Sequence, residues 1–159
     1  MASGTEPHAA GGERVLVCAS RFNEAVTRRL VDGALATLRE HGFGEDRVDV
    51  VWVPGAFELP VTLQRCLATS RYCVAVAVGA IVRGETPHFD YIARETTRGL
   101  GDVALRHGVP IGFGVLTCDT LDQALARAGG AAGNKGGEAA AAAVEALRAI
   151  RRVERDAPA

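Results

Sequence analysis

Four short apolar runs, each followed by a helical pattern, constrain this chain more than any other feature. The runs are Arg14 to Ser20 (RVLVCAS), Val48 to Val53 (VDVVWV), Cys73 to Val82 (CVAVAVGAIV) and Ile111 to Thr117. The first and third lack the polar alternation of a half-solvated strand, so they suit strands covered on both faces. Between them the spacing predicts a helix over 24–41, with Ala25, Leu30, Ala34 and Leu38 on its apolar face, Asn23 as its cap and Gly42 at its end. A second helix is expected over 57–69, where Pro60 is tolerable because it falls in the first turn. A loop through Phe89 leads to a third, over 90–107. Thr120-Leu-Asp-Gln123 reads as a capping box for a short helix to Ala128. Gly129 to Gly133 breaks the chain, and Asn134 caps a long helix to Arg152.

Strands alternating with helices call for a parallel sheet wrapped on both faces. Right-handed crossovers leave few topologies. The expected fold is α/β: a flavodoxin-like three-layer sandwich with a four-stranded parallel sheet. Residues 13–159 should form one domain, with 1–12 a flexible arm. Eighteen basic and nineteen acidic side chains leave a net charge of −1, which gives no electrostatic case for nucleic acid or an anionic membrane as partner. No apolar run approaches bilayer length, and the first twelve residues do not resemble a secretion signal. Cys18, Cys66, Cys73 and Cys118 show no CxxC pairing, so reduced thiols in a cytoplasmic protein are expected. No metal-ligand cluster is visible, and no cofactor is expected. Lys135 is the single lysine among seventeen arginines.

In such a sheet, ligands bind outside the carboxyl ends of the strands. All four ends carry unusual segments: Ser20-Arg-Phe-Asn23, Pro54-Gly-Ala-Phe-Glu58, Arg83-Gly-Glu-Thr-Pro-His-Phe89 and Thr117-Cys-Asp-Thr120. Each residue also has an ordinary role. Phe22 could staple its own helix, Glu58 could complement a helix dipole, and Arg127 and Lys135 could be solvated cations. Gly84 and Thr86 resemble a backbone anion nest, and beside them stands His88, a residue type suited to proton transfer. Converging aromatics, a Gly-flanked loop and a His suggest a small-molecule site.

Taken together, the segments resemble the lumazine synthase family. The resemblance rests on SRFN at 20–23, VPGAFELP at 53–60, GAIVRGETPHFDYIA at 79–93, FGVLTCDTLDQALARAG at 113–129 and GNKGGEAA at 133–140. It implies the penultimate step of riboflavin synthesis: 5-amino-6-(D-ribitylamino)uracil and 3,4-dihydroxy-2-butanone 4-phosphate give 6,7-dimethyl-8-ribityllumazine, phosphate and water. It implies that Phe22 stacks on the pyrimidine and that Ala56, Phe57 and Glu58 hold the ribityl chain. Ala80, Ile81 and Val82 would line the pyrimidine pocket through their backbone, with Phe113 against the same ring. Gly84, Glu85, Thr86 and Arg127 would meet the phosphate, His88 would transfer protons, and Lys135 would stand nearby. Cys73 departs from the acidic residue common at that position. The resemblance further implies pentamers, with hollow icosahedral shells in some members, and leaves riboflavin synthase as a candidate partner.

A related riboflavin synthase is the nearest alternative, followed by a flavin-binding carrier or a structural shell protein on the same fold. A flavin carrier would need a hydroxyl- and Gly-rich loop where Ser20-Arg-Phe-Asn23 stands. A receiver domain would need acids where Ser20 and Arg83 stand. Lengths add one expectation. Phe113 lies four residues before Thr117, roughly 13 Å from the site edge. Arg127 lies about a helix length beyond that edge, on the order of 10 Å. Because the resemblance implies that both serve the site, they are expected to come from a neighbouring chain, in a ring of identical chains.

Overall fold

The computed structural model describes residues 13–159, and the arm expected at 1–12 lies outside the described residues. Strands β1 (Arg14–Ser20), β2 (Val48–Val53), β3 (Tyr72–Val82) and β4 (Ile111–Cys118) form one parallel sheet in the order β2-β1-β3-β4. Helices α1 (Glu24–Glu40) and α5 (Lys135–Asp156) cover one face, and α2 (Leu59–Leu67) and α3 (His88–His107) the other. The short α4 (Leu121–Ala126) follows β4. This is the expected flavodoxin-like sandwich.

The central strands are apolar on both faces because both are buried. Val15, Val17, Val74, Val76 and Val78 pack against Leu30 and Leu38 of α1 and Val144 and Leu147 of α5. Leu16, Cys18, Ala75 and Ala77 pack against Leu59 and Leu63 of α2 and Leu100 and Val103 of α3. Each fully buried Val or Leu contributes about 1.5–3 kcal/mol. Burial also pushes the Cys18 thiol up to about 12, so it behaves as a small hydrophobe.

The segment from Gly133 to Gly137 docks α5 on α1. Asn134 caps α5: its Oδ1 accepts from the Gly136 and Gly137 N–H groups at 2.9 and 3.1 Å. Its Nδ2 donates to the Arg29 carbonyl at 2.9 Å. A Cβ on Gly136 would run into the Leu30 carbonyl of α1, so glycine is required by the closeness of the two helices.

Local expectations shift in five places. Asn23 does not cap α1 through its side chain, for a reason given below. The helix expected over 57–69 is a 3-10 turn (Ala56–Glu58) followed by α2, with Pro60 in the first turn as expected. The helix expected from residue 90 starts at His88, because Pro87 opens it. The Gly129–Gly133 break forms a small antiparallel pair, β5 (Ala128–Gly130) with β6 (Gly133–Asn134), helped by left-handed Gly129 and Gly133. Helix α5 continues to Asp156.

At the opposite end of the sheet from these turns, Arg14 grips Asp49 with two nitrogens, Nε to Oδ2 at 3.1 Å and Nη2 to Oδ1 at 2.5 Å. The Tyr72 hydroxyl donates to Asp49 Oδ2 at 2.8 Å. The Arg14 hydrogen bond, aided by Tyr72, holds the Asp49 carboxyl below its ordinary range. A depressed native value means that Asp49 stabilises the fold above its unfolded value of about 3.9. That contribution is lost as pH falls through the lower native value. Asp49→Asn should therefore be less stable than the parent near pH 6, and the gap should close toward pH 3. Urea unfolding at fixed protein concentration checks this, and a gap that is constant with pH contradicts it.

Candidate active site

β3 outruns its neighbour. Its pairing with β1 ends at Val78, while its pairing with β4 continues to Val82. Gly79 to Val82 therefore have an open backbone edge on the β1 side. The Asn23 side chain fills part of it, Nδ2 donating to the Ala80 carbonyl at 2.9 Å. To do so Asn23 adopts a left-handed backbone, φ 61° and ψ 48°, a conformation that asparagine tolerates better than most residues. This is why it is no helix cap. Backbone groups alternate sides along a strand, so Val82 presents its N–H and carbonyl on the same open edge as Ala80.

Around this edge lies a cavity of about 670 Å³, within the range that encloses a small molecule. It sits where β2 and β3 flank β1, the switch point of the topology. Three chain segments build it. The turn after β1 supplies Phe22, which is 73% exposed and held by bonds from the Arg21 and Phe22 N–H groups to the Val53 and Pro54 carbonyls. The turn after β2 supplies Ala56, Phe57 and Glu58. Glu58 Oε2 accepts from the Gly55 N–H at 2.9 Å, closing a capping box and fixing the carboxylate at the rim. β3 and the loop after it supply Ala80, Ile81, Val82, Gly84 and Thr86, and α3, continuing from that loop, supplies His88 at its start with Phe89 and Ile92 behind. Gly84, Thr86 and His88 are exposed. Glu85 is exposed in the same loop but does not line the cavity.

Three expected residues lie elsewhere. Phe113, Arg127 and Lys135 line a second cavity, of about 470 Å³, beside edge strand β4. The two cavities share no lining residue. Arg127 Nη1 donates to the Gln123 carbonyl at 3.0 Å, and Lys135 Nζ pairs with Glu138 Oε2 at 2.7 Å. Among the described residues Arg127 has no carboxylate within 4.0 Å, so its charge is free for an anion. Sequence reasoning missed Glu138, Phe89 and the tethering role of Asn23. No motif rule relates Asn23 to a carbonyl 57 residues away. Among the described residues, no group of three or more His, Cys, Asp or Glu could hold a metal ion, and no helix is long and apolar enough to cross a membrane.

A hollow at the switch point, bordered by an open strand edge and faced by a carboxylate and a His, marks an α/β protein with a small-molecule site. The comparisons with known proteins agree. The family model described as 6,7-dimethyl-8-ribityllumazine synthase matches residues 12–151. The chain is 56% identical over 119 residues to the protein of that name from Gemmatimonas aurantiaca, covering 75% of this chain and 73% of the relative. It is 46% identical over 125 residues to that of Campylobacter fetus, covering 79% and 80%. With that of Nitratiruptor sp. it shares 49% over 122 residues, 77% and 79% of the two chains. The chain belongs to the 6,7-dimethyl-8-ribityllumazine synthase family.

The Asn23 tether can be tested by stability. Asn23→Gly keeps access to the left-handed backbone but loses the hydrogen bond, and the folding entropy of glycine adds roughly 0.4–1 kcal/mol. Asn23→Ala loses both, and the left-handed cost adds roughly 1–2 kcal/mol. Denaturant unfolding should rank the variants parent, Gly, Ala. A loss in the Ala variant no greater than in the Gly variant contradicts the ranking.

Proposed function

We propose that the Phe22–His88 cavity is the reaction site and that the reaction is that of the family. The enzyme is a transferase that condenses 5-amino-6-(D-ribitylamino)uracil with 3,4-dihydroxy-2-butanone 4-phosphate, giving 6,7-dimethyl-8-ribityllumazine, phosphate and water. This is the penultimate step of riboflavin biosynthesis. The observation that carries the site is the convergence of three distant motifs, at 22, 56–58 and 80–88, on one hollow.

The chemistry assigns the roles. The pyrimidine stacks on Phe22, and Ala80, Ile81 and Val82 line its pocket. Ala56 and Phe57 wall the ribityl chain, and Glu58 accepts from its hydroxyls through Oε1, the oxygen that is not committed to Gly55. The substrate amine attacks the butanone carbonyl, and loss of water gives an imine. Removal of a carbon-bound proton, by His88, then expels phosphate. Gly84, Glu85 and Thr86 hold that phosphate, the loop supplying fixed donors where charge develops. The enol left behind becomes a ketone, the second substrate nitrogen attacks that carbonyl, and a second water leaves as the ring closes. No step calls for a cofactor. The riboflavin synthase, flavin-carrier and shell-only readings gain nothing from the relatives named above, all of which carry the synthase name.

His88→Ala should lower kcat by roughly 10²-fold, the low end of general acid–base gains, with pyrimidine binding nearly intact. Arg127→Ala and Thr86→Ala should instead weaken the phosphorylated substrate, by roughly 10- to 100-fold, through loss of a bond to a charged group. Steady-state kinetics and separate calorimetric titrations measure both. An unchanged kcat in the first, or equal weakening of both ligands in the second, contradicts the roles.

We propose further that Phe113, Arg127 and Lys135 complete the site of an adjacent chain. Their separate cavity on the edge strand supports this. One repeated head-to-tail contact then closes a ring, here a pentamer, with a shell of pentamers as the larger assembly. The single domain spans 13–159, the setting is cytoplasmic, and riboflavin synthase is the partner that would consume the product. Co-refolding Phe22→Ala/His88→Ala chains with Arg127→Ala chains, assayed at a phosphorylated-substrate concentration too low for either variant alone to turn over, should restore activity. A monomer in sedimentation, or no recovery despite proven mixing, refutes the shared site.

A further inference from the structure

The loop between β3 and α3 is closed by one side chain. Arg83 opens the loop, and its own N–H donates to the Cys118 carbonyl of β4 at 2.9 Å. Its guanidinium then reaches past the loop's far end. Nε donates to Asp119 Oδ1 at 2.8 Å, and Nη1 lies 3.5 Å from Asp90 Oδ1. The Cζ atom sits 4.3 Å from the centroid of the Phe89 ring. Phe89 and Asp90 directly follow His88 in the first turn of α3. Asp119 is itself anchored, its N–H donating to Gln123 Oε1 at 2.9 Å within the α4 capping box.

The charges show what Arg83 does not do. One positive charge faces two carboxylates. A phosphate arriving there would meet a neutralised cation and two like charges, so the phosphate has to find its cation elsewhere. The contacts instead fit a mechanical role. A guanidinium offers a planar fork for two carboxylates and a flat face for a ring, whereas an ammonium offers neither. Arg83 is exposed enough that its charge alone adds little to stability, but its geometry spans both ends of a short loop.

We propose that Arg83 is a positioning residue for the reaction. By bridging Asp119 and Asp90 over the Phe89 ring, it fixes the Gly84–Pro87 loop and aims His88 into the cavity. The proposal rests on the site reading above, in which that loop holds the phosphate and His88 moves the proton.

Arg83→Lys and Asp119→Asn test it, singly and together, with His88→Ala alongside. Each single variant should lower kcat by roughly 10- to 100-fold, the cost of an ångström-scale misplacement. The dissociation constant for the pyrimidine substrate, and the number of competent sites counted in the same calorimetric titration, should stay within about twofold, because neither residue lines its pocket. The double variant should be no slower than the worse single one, because both break the same bridge. Losses that multiply, an unchanged kcat, or a loss of competent sites matching the loss of rate each overturn the proposal. So does a raised KM for the phosphorylated substrate at unchanged kcat, which would make Arg83 a phosphate ligand. If His88→Ala lowers kcat while Arg83→Lys does not, the proposal alone fails. If neither lowers it, the site reading fails with it.

Discussion

The site depends on a mismatch in strand length. β3 has eleven residues and β1 has seven, and their register leaves Gly79 to Val82 unpaired on the β1 side. Unpaired backbone groups carry a cost if buried and become binding groups if a ligand can reach them. Here Asn23 takes the Ala80 carbonyl, and Val82 is left for the cavity. The same bond pulls the chain into a left-handed turn just after Phe22, which throws the ring out over the edge instead of back onto α1. This side-chain bond thus shapes the floor of the cavity and, with the backbone bonds of Arg21 and Phe22 to Val53 and Pro54, places its most exposed aromatic.

The sheet below can support this opening because nothing in it needs to move. Apolar layers bury β1 and β3 on both faces, and Gly136 lets α5 press directly on α1. At the opposite end of the strands, the Arg14–Asp49–Tyr72 group ties together β1, β2 and β3. Burial, then the bond to Asp49, pushes the Tyr72 phenol up to about 12, so it stays a donor through the neutral range. Rigid elements hold functional groups more closely than loops do, and each segment of the cavity leaves such an element within a few residues.

Much of this was legible in the sequence, and the limits have physical causes. The covered strands are readable because burial on both faces removes polar alternation, as in CVAVAVGAIV. Asn134 reads correctly as a cap because its partners are two and three residues away. Asn23 looks the same locally but bonds a carbonyl 57 residues on, and only tertiary structure brings that carbonyl near. His88 was expected in a loop and stands in the first turn of α3, since Pro87 can open a helix as well as end one. Arg83 was visible in its motif without a role, because its partners at 90 and 119 meet only after β3 and β4 pair.

Charge placement distinguishes the two cavities. Among the described residues no arginine or lysine lines the first cavity, and the two arginines in the turns beside it are engaged: Arg83 with Asp90 and Asp119, and Arg21 with Glu24 and the Trp52 ring. The second cavity holds Arg127, with no carboxylate partner among the described residues, and Lys135, already paired with Glu138. If the first cavity is the reaction site, a phosphate leaving it meets neutral donors from its own chain and an unspent charge only from residues that line the other cavity. On the proposed reading each half is electrostatically incomplete. The loop binds phosphate weakly until a neighbour brings Arg127, and Arg127 has no loop to work with until it docks. Assembly and catalysis are then one requirement, met at the free edge of β4.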